Sequence, residues 1–158
     1  MTHTFKREAA SDILDEVAPL LMAHFKEVGH HQDIKLNPDL SAYANLEKLG
    51  LIRTYTVRQE DGELVGYAVY FVKHHIHYRD SLQAIQDVIY VRPGNRGMGG
   101  RFIKWCDEEL RKDGVQVVHQ HIKAAHNFGP MLERMGYELV DYLYQKRLDK
   151  PAEVASAR

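Results

Sequence analysis

Between Leu64 and Lys73 the chain has no polar face. Extended backbone puts Leu64, Ala68, Tyr70 and Val72 on one side and Val65, Tyr67, Val69 and Phe71 on the other. A strand apolar on both sides belongs inside a sheet covered by helices above and below. The flanking sequence supplies the cover. Ser11 is a helix cap with Asp12 behind it, and Ile13, Leu14, Val17, Leu20, Leu21, Phe25 and Val28 follow at helical spacing until Gly29. Pro19 inside this run predicts a kink or a break. Asn37 as cap and Pro38 as first residue open a second helix with Leu40, Tyr43, Leu46 and Leu49 on one face, closed by Gly50. Phe5 to Arg7 predicts a short strand. Ile52 to Arg58 predicts a longer one, joined to Leu64–Lys73 by a hairpin turn at Gln59-Glu60-Asp61-Gly62.

Leu82 to Val91 is a third long strand. A glycine-rich turn follows it, then a helix from Gly99 to Lys112 carrying Phe102, Ile103, Cys106 and Leu110 on one stripe. Gly114 ends that helix and Val115 to Ile122 is the next strand. A strand–helix–strand unit crosses over right-handed and makes its two strands parallel. A short helix over Asn127 to Met135 and one or two closing strands over Tyr137 to Leu148 complete the pattern. The expected fold is α/β (α+β): a single domain over 1–148, with a mixed, mostly antiparallel central sheet flanked by helices and one parallel pair joined by a crossover helix. Residues 149–158 read as a flexible tail.

The chain of 158 residues suits one domain with its own core. Lys and Arg number 21 against 22 Asp and Glu, for a net charge of -1. That balance argues against nucleic acid as a partner and against an electrostatic grip on membranes, leaving only local basic sites. No apolar run approaches a membrane span, and Met1 to Glu8 resembles no signal peptide. With a lone cysteine, Cys106, these features fit a cytoplasmic setting. Cys106 lies on the apolar stripe of its helix, which makes it a core thiol rather than a nucleophile. Ten histidines stand out. His75/His77 and His119/His121 would each share a strand face, yet no zinc-motif spacing occurs and no metal is expected.

The turn Val91-Arg92-Pro93-Gly94-Asn95-Arg96-Gly97-Met98-Gly99-Gly100-Arg101 carries the most chemistry. Glycines let a ligand approach the main chain, and the helix that follows aims unpaired N–H groups at it. Arg96 and Arg101 add cationic donors suited to phosphate. The dinucleotide fingerprint fails because Phe102 stands where its third glycine belongs, and a Walker A loop fails for want of Gly-Lys-Ser/Thr.

This turn resembles the acetyl-CoA loop V-x-P-x-x-R-G-x-G-x-G/A of the GNAT family, the Gcn5-related N-acetyltransferases, at every position but the last, where Arg101 stands. Met131-Leu132-Glu133-Arg134-Met135-Gly136-Tyr137 is similar to the family's L-Y-E-K-x-G-F segment, and the element order agrees over roughly 148 residues. The resemblance implies acetyl-CoA as co-substrate and a primary amine, on a small molecule or a peptide, as acceptor, attacking the thioester directly. It implies a cleft between the two parallel strands. The pantetheine arm would pair with the main chain of Ile89, Tyr90 and Val91. The pyrophosphate would sit on the N–H groups of Arg96, Gly97, Met98, Gly99, Gly100 and Arg101, with Asn127 on the opposite wall. Asp87 stands where the family places its base, and by strand alternation it would share a face with Ile89 and Val91; a structural aspartate bonded to an adjoining loop is the competing reading. His119 and His121, on the strand lining the cleft, are candidates for orienting substrate or for an auxiliary base. The family's acid, a tyrosine, is replaced by Leu132, with Tyr137, Tyr142, Tyr144 and His126 nearby in sequence. That replacement leaves open a non-catalytic acyl-CoA-binding or regulatory module on the same fold. A homodimer is also open.

Overall fold

The computed structural model describes residues 2–150. Its sheet has five strands in chain order: β1 (His3–Arg7), β2 (Ile52–Gln59), β3 (Leu64–His74), β4 (Leu82–Val91) and β5 (Val117–His119). β1 to β4 are antiparallel, and β4 pairs with β5 in parallel through the crossover helix α3 (Gly99–Lys112). Helices α1 (Leu14–Val28) and α2 (Leu40–Lys48) cover one face, α3 covers the other, and α4 (Gly129–Arg134) follows β5. The fold expected from sequence is the fold observed. Among the described residues no helix is long and apolar enough to cross a membrane.

The two faces hold separate cores. Tyr55, Val57, Tyr70, Val72 and Ala84 pack beneath Phe102, Cys106 and Leu110 of α3, while Leu20 of α1 packs on Ile52, Leu64, Tyr67, Val69 and Tyr90 on the opposite side. Cys106 is fully buried, and burial pushes its thiol well above the ordinary range, which suits packing and not nucleophilic work.

Two bulges reset the alternation read from sequence. Val57 pairs with Gly66 and Arg58 with Leu64, so Val65 is extra and joins the α3-side core while Leu64 joins the other. On β4, Val69 pairs with Val88 and Tyr70 with Gln86, which leaves Asp87 as the extra residue. A bulge bends the strand and re-aims the side chains beside it.

Helix α1 runs unbroken through Pro19. Its entry differs from expectation: Ser11 does not cap it. A short 3₁₀ turn over Ala10–Asp12 precedes the helix, and Glu47 of α2 accepts from the Ala10 N–H (2.6 Å), the Ser11 N–H (3.4 Å) and the Ser11 hydroxyl (3.1 Å). The cap arrives from another helix. Likewise Asp39, not Asn37, caps α2, accepting from the Ala42 N–H at 2.9 Å.

The closing strands expected over Tyr137 to Leu148 do not form among the described residues. The segment runs past Gly136 (φ 92°) without joining the sheet, and its apolar side chains stand in solvent, Leu143 at 82% and Tyr144 at 89% exposure. Alternating apolar residues become a strand only when a neighbour satisfies their main-chain groups, and here none does. Arg147 and Lys150 instead tie the far end to Asp33 in the loop between α1 and α2. Of the tail expected over 149–158, Asp149 and Lys150 are described and the remainder lies outside the described residues.

Replacing Glu47 with Ala would strip the N–H groups before α1 of their acceptor. The expected loss is about 1–2 kcal/mol, measured as a lower urea midpoint with an unchanged slope.

Candidate functional site

β4 and β5 pair at only three positions: Gln83 with Val117, Ala84 with Val118 and Ile85 with His119. The next residue on β4, Gln86, is buried, and its side-chain oxygen accepts the main-chain N–H of His121 at 2.8 Å. A carboxamide now occupies the place where two main chains would meet, so the strands part. From there to Val91, β4 keeps β3 on one edge and, among the described residues, has no strand on the other. The main chain of Ile89, Tyr90 and Val91 borders this opening.

At the end of β4 the Arg92 N–H bonds Val65 O (2.8 Å), and the Asn95 N–H bonds Arg92 O (3.0 Å), closing a turn on Gly94 at φ 91°. A 3₁₀ turn over Arg96–Met98 leads into α3, and Met98 supplies no side-chain cap. The 3₁₀ turn already takes two of the leading N–H groups, Met98 to Asn95 O (3.4 Å) and Gly99 to Arg96 O; the others at a helix start lack partners within the helix and carry its positive dipole end. Among the described residues, nothing beyond the adjoining backbone lies within 4 Å of where a Cβ would stand on Gly97 or Gly99, so the space over the turn is open. A Cβ on Gly100 would meet Met131 Sδ at 3.2 Å. Gly100 therefore serves the packing of α3 on α4, whereas nothing in the protein requires Gly97 and Gly99 to be small.

The two arginines divide. Arg96 donates to Val91 O through Nε (3.0 Å) and to Glu27 of α1 (2.6 Å), and stands over the Tyr90 ring. Its hydrogen bond holds the Glu27 carboxyl below its ordinary range. Arg101 stands over the Phe5 ring at 5.9 Å, on the β1 side. Sequence alone had placed both guanidinium groups at one anion. Asn127, expected on the opposite wall, accepts the Gly129 N–H at 2.8 Å and so orders the start of α4.

The bulge decides where Asp87 points. Its carboxylate accepts the Tyr43 hydroxyl of α2 at 2.5 Å, on the face carrying Val88 and Tyr90. It does not share the face of Ile89 and Val91, which pack toward α3. Burial first, and the Asp87 bond second, raise Tyr43 well above the ordinary phenol range, so the hydroxyl keeps its proton. Tyr67 beside them is also raised by burial, and its hydroxyl is buried without a partner.

The face under α1 holds a cavity of about 560 Å³, walled by Leu14, Val17, Leu21 and Phe25 on one stripe of the helix and floored by Thr54, Val69 and Val88 of three adjacent strands. Tyr43 and Tyr67 border it, which places Asp87 at its edge. Sequence reading missed Tyr43, Thr54 and Tyr67 because each reads as an ordinary core position. Only the unsatisfied hydroxyls set Thr54 and Tyr67 apart.

The histidines disperse. The His119 ring lies 3.1 Å from Gln83 Oε1 at the closed end of the strand pair, and His121, exposed, contributes its main chain to the parting. Neither ring borders the cavity. His75 and His77 sit 5.6 Å apart beyond β3. Among the described residues no three His, Cys, Asp or Glu converge on a common point. Tyr137 donates to Asp107 (2.6 Å) and lies 3.3 Å from the Gln120 amide, while Tyr142 and Tyr144 are exposed and Leu132 is buried in α4.

A mostly antiparallel sheet whose single parallel pair splays above a glycine-rich helix start is the GNAT acetyltransferase fold, and solved structures bear this out. One is a predicted acetyltransferase from Clostridium acetobutylicum, determined with acetyl-CoA: 13% identity, 93% of this chain and 97% of that one, TM-score 0.67. Another is a ribosomal-protein-alanine N-acetyltransferase from Brucella melitensis: 18%, 92% and 99%, TM-score 0.68. A third is glucosamine-6-phosphate N-acetyltransferase from Arabidopsis thaliana: 9%, 94% and 100%, TM-score 0.69. No family model and no curated protein sequence matches the chain.

His24 of α1 stacks on Tyr90 at 4.8 Å, and burial lowers its pKa from 6.5 to about 4. A histidine depressed in the folded state contributes its full stability above pH 6.5 and loses it as pH falls toward 4, because the unfolded chain takes up the proton first. The expected cost at pH 5 is about 2 kcal/mol. His24→Phe would therefore shrink the difference in Tm between pH 7 and pH 5.

Proposed function

We propose that the chain is an acetyl-CoA-dependent N-acetyltransferase acting on a primary amine. One observation carries the reading. The free edge of β4 leads through the Gly94 turn to a helix start with no side-chain cap, and among the described residues nothing stands over Gly97 and Gly99. An extended amide chain ending in a pyrophosphate has the shape and chemistry for such a track: main-chain hydrogen bonds along Ile89 to Val91, then N–H groups and a guanidinium at the anion. Arg96 would exchange Glu27 for phosphate, and Glu27 keeps the guanidinium in place until then.

Acetyl-CoA would bring an acyl group already activated as a thioester. The protein's own task is then to deliver a neutral amine and to hold the oxygen that gains charge. Asp87, at the border of the cavity and the cleft, takes the amine proton directly or through a water. Tyr43 positions that carboxylate by a hydrogen bond and, keeping its proton, does not compete as a base. Main-chain N–H groups on the open edge of β4 hold the oxyanion. The leaving group is a thiol of ordinary pKa about 8.5, so it departs as thiolate without a strong acid. This answers the burial of Leu132 and the engagement of Tyr137 by Asp107.

Titration calorimetry with acetyl-CoA is expected to give a saturable heat, and its absence would remove the proposal. Asp87→Asn should lower kcat by roughly 10²–10⁴-fold with the acetyl-CoA Kd unchanged. Tight binding with no turnover on any amine would favour the non-catalytic acyl-CoA-binding module.

A further inference from the structure

We propose that the acceptor is an arylalkylamine: a primary amine on an apolar, ring-sized body with a hydrogen-bonding group at its far end. This rests on the acetyltransferase reading and concerns the cavity under α1. The cavity, about 560 Å³, is of small-molecule size. Its helical wall and most of its floor are apolar. Charge at its rim comes from Lys35 and Lys123, with His30 and His31 beside them. Among the described lining residues Asp39 is the only carboxylate, with Oδ1 accepting from the Ala42 N–H and the Ser41 hydroxyl. A polyamine or aminosugar carrying several ammonium groups meets one carboxylate in this lining against two lysines, a poor balance for several positive charges.

Two polar atoms in this apolar space are unpaired. Thr54 is 4% exposed and Tyr67 3%, and among the described residues neither hydroxyl has a partner. A buried hydroxyl without a bond is unfavourable, and one that borders a cavity is relieved by a ligand group. Their positions set a direction. Val88 of β4 pairs with Val69 of β3, which pairs with Thr54 of β2, so the floor is a straight row across three strands. Asp87 belongs to β4 and Thr54 to β2, two strand spacings apart, roughly 10 Å, with Tyr67 on β3 between them. An arylethylamine spans such a distance. Its amine would stand at Asp87, its ring over Val69 and Val88 beneath Val17 and Leu21, and a ring hydroxyl or ring N–H at Thr54 Oγ1. A phenol there satisfies the orphan threonine; a bare ring leaves it unpaired.

The test measures CoA release with tyramine, phenethylamine, spermidine and an alanine-initiated tripeptide, beside calorimetry with acetyl-CoA. Tyramine is expected to exceed spermidine and the peptide in kcat/KM by roughly a hundredfold, and phenethylamine by roughly five- to tenfold, one hydrogen bond's worth. Thr54→Val keeps the shape and removes the hydroxyl, so the tyramine-to-phenethylamine ratio should fall toward one. Leu21→Trp, filling the cavity, should raise KM for both aryl amines while acetyl-CoA still binds. Preference for spermidine or the peptide, or a ratio untouched by Thr54→Val, overturns the inference and leaves acetyl transfer standing. Failure to bind acetyl-CoA overturns the reading beneath it. Should acetyl-CoA bind without turnover, tyramine binding to the loaded protein, weakened by Thr54→Val, supports the assignment, and no binding refutes it.

Discussion

A single side-chain hydrogen bond opens this molecule. Gln86 accepts the main-chain N–H of His121 at the point where a fourth β4–β5 pair would form, and the two strands separate. Everything on the functional side depends on that parting. The open edge of β4, its run into the turn at Gly94 and the uncapped start of α3 lie along one line only because β5 has left it. Gln86 is buried, so its carboxamide meets little competition from water for this bond.

A second constraint acts one residue later. The bulge at Asp87 turns that carboxylate to the α2 side, where Tyr43 meets it. Without the extra residue, Asp87 would face α3, away from Tyr43 and the apolar cavity. Parting and bulge occupy neighbouring residues on one strand, so the open edge of β4 and the cavity under α1 lie next to each other. The two hydrophobic cores hold that strand from both faces: Ile89 and Val91 beneath α3, Val88 and Tyr90 beneath α1.

Ion pairs fix the outer parts. Glu27 restrains Arg96, Asp33 restrains Arg147 and Lys150, and Glu8 with Glu16 holds Arg58 at the edge of the α1 face. The first of these differs from the rest. Its arginine stands at the start of the 3₁₀ turn before α3 and also donates to Val91 O at the end of β4, so this pair sits at the mouth of the strand parting.

The sequence by itself determined the layers. The unrelieved apolar run at Leu64 to Lys73, helical stripes on both sides of it and the Gly94–Gly100 turn between strand and helix admit one architecture, because local periodicity and turn chemistry act over a few residues. It did not determine the faces. Strand alternation put Asp87 with Ile89 and Leu64 with Ala68, and each was reversed by a bulge, which exists only as a mismatch between two strands. It placed closing strands at Tyr137 to Leu148 from a correct alternation, but a strand also requires a neighbour. It grouped His119 with His121 on the cleft, whereas one is held by Gln83 and the other ends the pairing. Tyr43, Thr54 and Tyr67 read as ordinary core positions, since a hydroxyl bonded to a distant carboxylate or left without a partner is a property of surroundings. Tertiary structure alone decided which hydroxyls are left unpaired, which carboxylate borders the cavity and where the two parallel strands separate, because each depends on atoms brought together from distant parts of the chain.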